Sequence, residues 1–442
     1  MILIFIFLIA LFLIHVKHKQ ACGLTLLFIY INNAFDLKLF SEVIINNYNV
    51  LFLYINLYIL SRLEIIRERI KNDKFGKFII YSYVFFLIHM LFSYLLGVDS
   101  LKETSSILRQ FITGFLFYFL LIDISIEELN RTLKYCAIIV LILSLCYPLY
   151  FMGFVIYDLG GIEYSTDNHR IGMVASMEFF IIYGLVTFQR RLLVTPYFIP
   201  IIGGAARGSI MSILAGFTWV FRKKIKQVKG IVIGIIILFI AYLIYSEYLH
   251  EDFNRYDLSF TDELLSAVNP SIIFNPQEFT TSQGQSFNEN GTFSFRIALM
   301  MERILFLLQN PEYLLFGYGM ISEEQGSNIF HFILGTHNEM YRWGYCMVTS
   351  NDILWPTYIL RFGLVGIFFW IMYFRFAYKT CQGLPQSKLA TVGMVYAVYL
   401  LFHSFGTDMP HRFYSLFLMI IVMAYCTKTK ETDKIKTKRF SH

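Results

Sequence analysis

The chain alternates between long apolar runs and short polar segments along most of its length. An α-helix that crosses a membrane needs about 20 mostly apolar residues, and the runs predict about 12 or 13 such spans. The first run lacks the basic start and small-residue cleavage site of a signal peptide, so we count it as a short span. The runs cover residues 1–16, 20–35, 48–63, 78–97, 106–122, 135–156, 171–188, 192–203, 208–221, 230–248, 357–374, 389–405 and 412–426.

One long polar interval, residues 250–351, interrupts this pattern. It contains four arginines, no lysine and the tetrad Gly-Thr-His-Asn at residues 335–338. We therefore expect an N-terminal transmembrane bundle, one large loop with short helices, C-terminal transmembrane helices and a basic cytoplasmic tail. These four parts cover residues 1–249, 250–356, 357–426 and 427–442. The arginines of the interval are Arg255, Arg296, Arg303 and Arg342.

Composition and charge support a membrane location and set the orientation. The chain is 57% hydrophobic and 15% charged, with a mean hydropathy of +0.57. This is too little charge to cover a soluble globule of 442 residues. Short loops rich in Lys and Arg stay in the cytoplasm, and the basic clusters alternate with segments that are poor in lysine. The large loop is therefore predicted on the non-cytoplasmic side.

A short hairpin lies between basic clusters at Arg190 and Lys224. Each arm has about 15 residues, or about 22 Å of helix, which is shorter than the hydrocarbon core of about 30 Å. The turn at residues 203–209, Gly-Gly-Ala-Ala-Arg-Gly-Ser, should therefore lie below the outer surface. Arginine at such depth is functional by default, which makes Arg207 a candidate site residue. The alternative is a snorkelling arginine that anchors the turn.

An amphipathic helix is predicted in the loop, with Ser294 as its N-cap and Asn310-Pro311 as its end. Arg296 and Arg303 share one face of this helix, because they are seven positions apart. They are candidate anion ligands. The alternative is that they form ion pairs with Glu302 or Glu289, which carry little functional information.

The segment Thr336-His337-Asn338-Glu339 matches a capping box, so a helix is predicted to start here with His337 in its first turn. The helix N-terminus attracts anions and lowers the pKa of a histidine, which keeps the imidazole neutral. A neutral histidine beside a bound diphosphate can act as a general base. The alternative is a surface histidine that packs on Tyr341 or Trp343.

Other familiar motifs are absent from the sequence. It has no internal repeat, Walker-type loop, GxGxxG, HExxH or paired-acid DxD motif, so no cofactor or metal site is predicted. Of six cysteines only Cys346 lies in the long interval, which excludes a disulfide within it. His89 and His403 fall inside apolar runs, and we interpret them as packed or hydrogen-bonded groups rather than ligands.

The order of these motifs resembles the superfamily of O-antigen polymerases and O-antigen ligases, over roughly residues 170–375. Two departures stand out: Ala206 precedes Arg207 where the family often has serine, and Arg361-Phe362 stands where an acid often precedes Gly-x-x-Gly. The matching motifs are Arg207-Gly208 in the short hairpin, Arg296 at the start of a helix, Asn310-Pro311, Phe316-Gly317-Tyr318-Gly319, Thr336-His337-Asn338 and Gly363-Leu364-Val365-Gly366.

The resemblance implies a GT-C-like glycosyltransferase of the bacterial inner membrane, with its active site facing the periplasm. The donor would be an undecaprenyl-diphosphate-linked oligosaccharide, transferred with inversion and without metal or cofactor. Arg207 and Arg296 would bind the diphosphate and His337 would be the base. Membrane lipid and a chain-length regulator are the other expected partners, and nucleic acid is not one. Further candidate substrate contacts are Arg170, Arg303, Asn338, Tyr341 and Arg342.

Three functions remain open at this point. A polymerase and a ligase share this chemistry and differ in acceptor, which is another lipid-linked repeat unit or a lipid A-core sugar. We favour the polymerase because the Ile, Phe, Tyr and Asn bias resembles proteins of horizontally acquired polysaccharide loci. A transporter or flippase for the same lipid would place its binding residues near the midplane, often with internal symmetry, whereas these candidates gather at one face.

Overall fold

A computed structural model describes most of the chain, and all regular structure in the described part is helical. The predicted all-α class is confirmed for this part, which contains no strand. The described residues are 2–31, 47–151, 176–189, 191–203, 207–222, 233, 292–334, 348–350, 353–384, 386–407 and 409–440.

Ten helices precede the long polar interval in the described part of the chain. Three short 3-10 turns also lie between helices of the described part: Arg191–Val194, Pro311–Tyr313 and Met409–His411. The ten helices are α1 (Ile2–His15), α2 (Gln20–Ile31), α3 (Asn47–Ser61), α4 (Leu63–Ile70), α5 (Lys74–Leu95), α6 (Leu101–Leu121), α7 (Ile126–Phe151), α8 (Met177–Thr187), α9 (Thr195–Gly203) and α10 (Arg207–Phe221).

The remaining described helices belong to the loop and the C-terminal part. Two lie in the predicted loop and three follow it. They are α11 (Thr292–Gln309), α12 (Glu323–Ile329), α13 (Leu354–Gln382), α14 (Lys388–His403) and α15 (Phe413–Phe440).

Four of these helices are long and apolar enough to cross a membrane: α5, α6, α13 and residues Phe413–Thr432 of α15. A fifth is possible if α3 and α4 form one span bent by 83°. A helix coincides with every predicted apolar run except 230–248, which lies outside the described residues. The described part of the chain is thus all-helical with four candidate membrane spans, and the larger number of spans stays a prediction.

Three predicted boundaries differ from the structure. α13 begins at Leu354 instead of residue 357, and α11 begins at Thr292 instead of after Ser294. The predicted tail at 427–442 is not a separate element, because α15 continues through it to Phe440. Neither glycine nor proline interrupts α15, and its Lys and Glu residues favour helix, so the apolar pattern ends before the helix does.

The two arms of the predicted short hairpin are helices shorter than a membrane span. α9 has 9 residues and α10 has 15. The longer arm rises about 22 Å, less than the hydrocarbon core of about 30 Å. α9 packs against α7 and α8, whereas α10 packs against α14. The two arms thus begin in different surroundings, and α14 determines where the first turn of α10 lies.

The centre of the fold is α6, which packs against α3, α5 and α15 and whose buried C-terminal half also meets aromatic rings of α13. Aromatic rings fill these interfaces in edge-to-face pairs, such as Phe86 with Phe369 and Phe115 with Tyr373, each at 5.1 Å. This geometry suits the quadrupoles of the rings. Gly114 allows α15 to approach, because a Cβ there would lie 2.6 Å from Cδ1 of Leu416.

α13 is broken near its start at Gly363, where φ is 57° and ψ is −145°. The loop that precedes it supplies partners for the freed backbone groups. The N–H of Leu364 donates to the Leu314 carbonyl at 3.0 Å, and the N–H of Tyr318 donates to the Leu360 carbonyl at 2.8 Å. The motifs at residues 316–319 and 363–366 are therefore in contact, which explains why both are rich in glycine.

At the other end of the bundle, Asp123 holds together segments that are predicted to be cytoplasmic. Arg62 and Arg69 approach its carboxylate at 2.9 and 3.0 Å. The amine of Lys428 donates to the neighbouring carbonyl of Ile124. These contacts hold the bend between α3 and α4 against the turn after α6 and against α15.

We predict that Gly363→Ala lowers the unfolding temperature of the detergent-solubilised protein more than Gly97→Ala does. Both glycines have positive φ, so both variants bear the backbone strain of about 1–2 kcal/mol. Only at position 363 would the new Cβ also meet backbone atoms, the Leu314 oxygen at 2.5 Å and the Gly317 nitrogen at 2.6 Å. At Gly97 nothing lies within 4 Å. Equal unfolding temperatures would contradict the close loop contact.

Candidate anion-binding site

The first turn of α10 faces open space. Gly208 is exposed, and a Cβ placed on it would have no atom within 4 Å. The first N–H groups of a helix have no partners inside the helix and carry its positive dipole end. α14 holds α10 closely, since a Cβ on Gly216 would lie 2.7 Å from the Val395 carbonyl oxygen. The N-terminal end of α10 is therefore rigidly placed beside an opening.

Arg296, on the second turn of α11, lies near the turn that follows α14. Its Nη1 is 3.8 Å from the position of a Cβ on Gly406, in the turn that follows α14. Its Nε is buried and has no hydrogen-bond partner. No carboxylate in the described part of the chain forms an ion pair with it. The side chain is half-buried, so a charge without an ion pair is only partly solvated there, and an anionic ligand would supply the missing partner.

His403 connects Arg296 with the first turn of α10. It is the last residue of α14, is 9% exposed, and hydrogen-bonds to the backbone of Gly208. It is also close enough to Arg296 for the positive charge to act on its imidazole ring. The ring stacks on Tyr399 at 4.9 Å, and its Nδ1 has no partner among the described residues. His403 thus holds the first turn of α10 close to Arg296.

A buried acid lies on the opposite side of the same turn. Glu178, at the start of α8, is 1% exposed, and its Oε1 accepts a hydrogen bond from Ser209 Oγ at 2.9 Å. The Tyr399 hydroxyl lies beside both groups. The described residues contain no cationic partner for this carboxyl. An ionisable side chain buried in an apolar helix marks a functional site by default.

The four helices α8, α10, α11 and α14 thus form one site at one end of the bundle. It combines a helix N-terminus, an arginine without an ion pair among the described residues, and an exposed glycine in the first helical turn. Such groups bind phosphate or diphosphate, since the N–H groups and the guanidinium supply charge-assisted hydrogen bonds. Within the described residues, no group of three or more His, Cys, Asp or Glu side chains is placed to hold a metal ion.

Arg303 lies two turns further along α11 and has a structural role. Its guanidinium is completely buried, donates to Glu302, and lies 4.1 Å from the ring centroid of Phe332. The predicted alternative, an ion pair with Glu302, is confirmed. Glu302 also accepts the N–H groups of Ile333 and Leu334 at 2.7 and 3.1 Å. Burial raises the pKa of Glu302, while Arg303 and these N–H groups lower it.

The structure brings together some of the predicted site residues and leaves others undescribed. Arg296 borders His403, which bonds to the first turn of α10; Arg207 is the first residue of that helix, and only its backbone is described. The capping-box prediction for residues 336–339 also lies outside the described residues. So do five of the predicted site residues: Arg170, His337, Asn338, Tyr341 and Arg342.

Sequence reasoning missed Glu178, Tyr399 and His403 as members of this site. The signal for Glu178 was present, because it is an acid inside the apolar run 171–188. His89 agrees with its interpretation as a hydrogen-bonded group, since its Nε2 lies 3.1 Å from the Arg361 carbonyl oxygen. The same interpretation was incomplete for His403, which also borders Arg296.

No protein-family model matches the chain, and no curated protein is significantly similar to it. Function has to be inferred from the chemistry of the site and from the order of motifs along the sequence.

We predict that the same substitution changes the free energy of unfolding much more at Arg303 than at Arg296. Arg303→Met removes one partner of a buried ion pair and should destabilise the fold by about 3–5 kcal/mol, measured by denaturant unfolding of the solubilised protein. Arg296→Met removes a guanidinium without partners and should change stability by less than about 1 kcal/mol. A large loss of stability in Arg296→Met would mean that this arginine is structural as well.

Proposed function

We propose that this chain is an O-antigen polymerase, which joins undecaprenyl-diphosphate-linked repeat units by inverting glycosyl transfer without a metal ion. The proposal places it in the bacterial inner membrane as a GT-C-like enzyme with its active site facing the periplasm. The four candidate membrane spans and the apolar composition support the membrane part of this proposal.

The observation that carries the proposal is Arg296, which has no ion pair among the described residues and lies close to His403, the side chain bonded to the exposed first turn of α10. A diphosphate is the ligand that such a site fits best, because its two phosphates can occupy the N–H groups and the guanidinium together. A soluble phosphate ester would not need a site among apolar helices. A lipid-linked diphosphate would, since its polyprenyl chain stays in the membrane while its headgroup reaches the helix ends.

The chemistry suits a site built from cations and a base. The acceptor hydroxyl oxygen forms a bond to the anomeric carbon as the bond from that carbon to the diphosphate oxygen breaks. The electron pair of the broken bond leaves with the diphosphate, where Arg296 and Arg207 stabilise the developing charge. The acceptor proton passes to His337 as general base. One displacement of this kind inverts the anomeric configuration.

The other proposed contacts concern the sugars and the acceptor. Arg170, Asn338, Tyr341 and Arg342 remain candidates for them. Arg303 is a weaker candidate, because its guanidinium is buried in the ion pair with Glu302. The proposed partners are the lipid-linked oligosaccharide, membrane lipid and a chain-length regulator, with no nucleic acid.

The glycan pattern of a deletion strain tests this function directly. We expect lipopolysaccharide that carries a single repeat unit on its core, because transfer to lipid A-core continues while repeat units are no longer joined. Bare core with accumulated lipid-linked polymer would instead identify a ligase. Absence of any periplasmic repeat unit would identify a transporter or flippase for the same lipid.

Complementation of that strain tests the arginines. We predict that Arg207→Lys and Arg296→Lys lower polymer formation by at least about tenfold although the charge is kept, because an ammonium cannot form the bidentate contact of a guanidinium. Arg303→Lys, expressed at the same level, serves as the matched control and should have the weaker effect on the folded enzyme. Near-normal polymer length with Arg296→Lys would contradict the proposed diphosphate contact.

The proposed base makes a separate prediction. His337→Ala should lower the rate of the chemical step by about 10²–10⁴-fold while the lipid-linked donor still binds. The measurement is polymerisation by purified protein together with a donor-binding assay on the same preparation. Loss of donor binding would make His337 a diphosphate ligand instead, and unchanged polymerisation would remove it from the mechanism.

A further inference from the structure

The acid of this site, Glu178, has no part in the chemistry proposed above. It is 1% exposed, and its contact Ser209 is 2% exposed, so neither group reaches the opening. Burying a carboxyl group among apolar helices is costly unless it is hydrogen-bonded. We therefore look for the role of Glu178 in the groups that hydrogen-bond to its carboxyl oxygens.

What they hold is the first turn of α10. Ser209 donates to Glu178 at 2.9 Å, and the neighbouring residue Gly208 is bound through its backbone by His403. Two consecutive residues of one helical turn are thus fixed from two different helices, α8 and α14. Tyr399 packs between these contacts, with its hydroxyl beside Glu178 and its ring against His403.

The same turn is open on its other side, at Gly208, where the anion would bind. Helix ends fray unless something holds them, and a frayed end no longer aims its N–H groups at one point. Holding residues 208 and 209 would keep the anion-binding groups of α10 in place beside Arg296. Binding then costs less conformational entropy, because the site is already ordered.

We infer that Glu178 is a positioning residue, which acts through Ser209 to hold the first turn of α10 in the geometry that binds a diphosphate group. This inference rests on the proposed function for the identity of the ligand. It predicts that the hydrogen bond, and not the negative charge of Glu178, is what matters. A glutamine keeps the accepting oxygen and the size of the side chain, so it should replace the acid, whereas leucine should not.

Binding of inorganic pyrophosphate to the purified full-length protein tests the inference, with titration calorimetry as the measurement. Ser209→Ala and Glu178→Leu should each weaken binding about tenfold, the loss expected for one hydrogen bond of about 1.4 kcal/mol. The double variant should bind no more weakly than Glu178→Leu, because that change already removes the contact with Ser209. Glu178→Gln should bind within about threefold of the wild type.

Ser212→Ala is the matched control. Ser212 lies one turn further along the same helix and is also buried, at 6% exposure, so its loss tests serine removal without touching the first turn. Its affinity should equal that of the wild type. The unfolding temperature of every variant is measured as well, and affinities are compared at a temperature at which all of them are folded. A purely structural role would lower the unfolding temperature without changing the affinity of the folded protein. If Glu178→Leu does not fold, the comparison of pyrophosphate affinity between Ser209→Ala and Ser212→Ala decides the inference by itself.

The outcomes separate this inference from the proposed function. Equal pyrophosphate affinity for Ser209→Ala and Ser212→Ala overturns the positioning role, even if the deletion strain shows a polymerase. A wild type that does not bind pyrophosphate also overturns it. If the affinities fall as expected but the deletion strain keeps normal polymer, the positioning role stands and the polymerase function fails.

Discussion

The cost of burying charge away from water shapes this structure more than any other constraint. Two buried arginines offset that cost by forming an ion pair or hydrogen bonds. Arg303 pairs with Glu302, and Arg361 donates through Nε and Nη2 to the Ile321 carbonyl at 3.0 and 2.8 Å. Arg296 has no such partner in the described part of the chain. Arg303 and Arg361 therefore build the fold, and the lack of a partner supports the proposed role of Arg296 as a ligand contact.

The same constraint applies to the backbone. A helix within a membrane is interrupted only where other groups satisfy its N–H and carbonyl groups. α13 is interrupted at Gly363, and the segment after α11 provides the partners. This contact anchors the loop to the bundle at the point where α11 packs against α13. The position of Arg296 therefore depends on glycines far from it in sequence.

The site itself depends on the packing of short helices. α10 lies close to α14 because Gly216 lacks a side chain, and α14 ends with His403 at the first turn of α10. Tyr396 and Tyr399 stack along α14 and carry the contact across to α8, where Phe179 meets Tyr396. A buried polar group surrounded by such a well-packed shell is held in one geometry, as recognition of a diphosphate requires.

The sequence alone determined the helical class, the apolar runs and the distinction of Arg207 and Arg296, because hydrophobic periodicity and misplaced charge are local properties of the chain. It also marked both glycine motifs and the ion pair of Arg303. It did not show that Glu178, Ser209 and His403 belong to one site, since they come from three helices far apart in sequence. Only tertiary packing brings them within hydrogen-bonding distance. The structure likewise decided which arginine of α11 is paired, because burial and partners depend on the surfaces that the helix contacts.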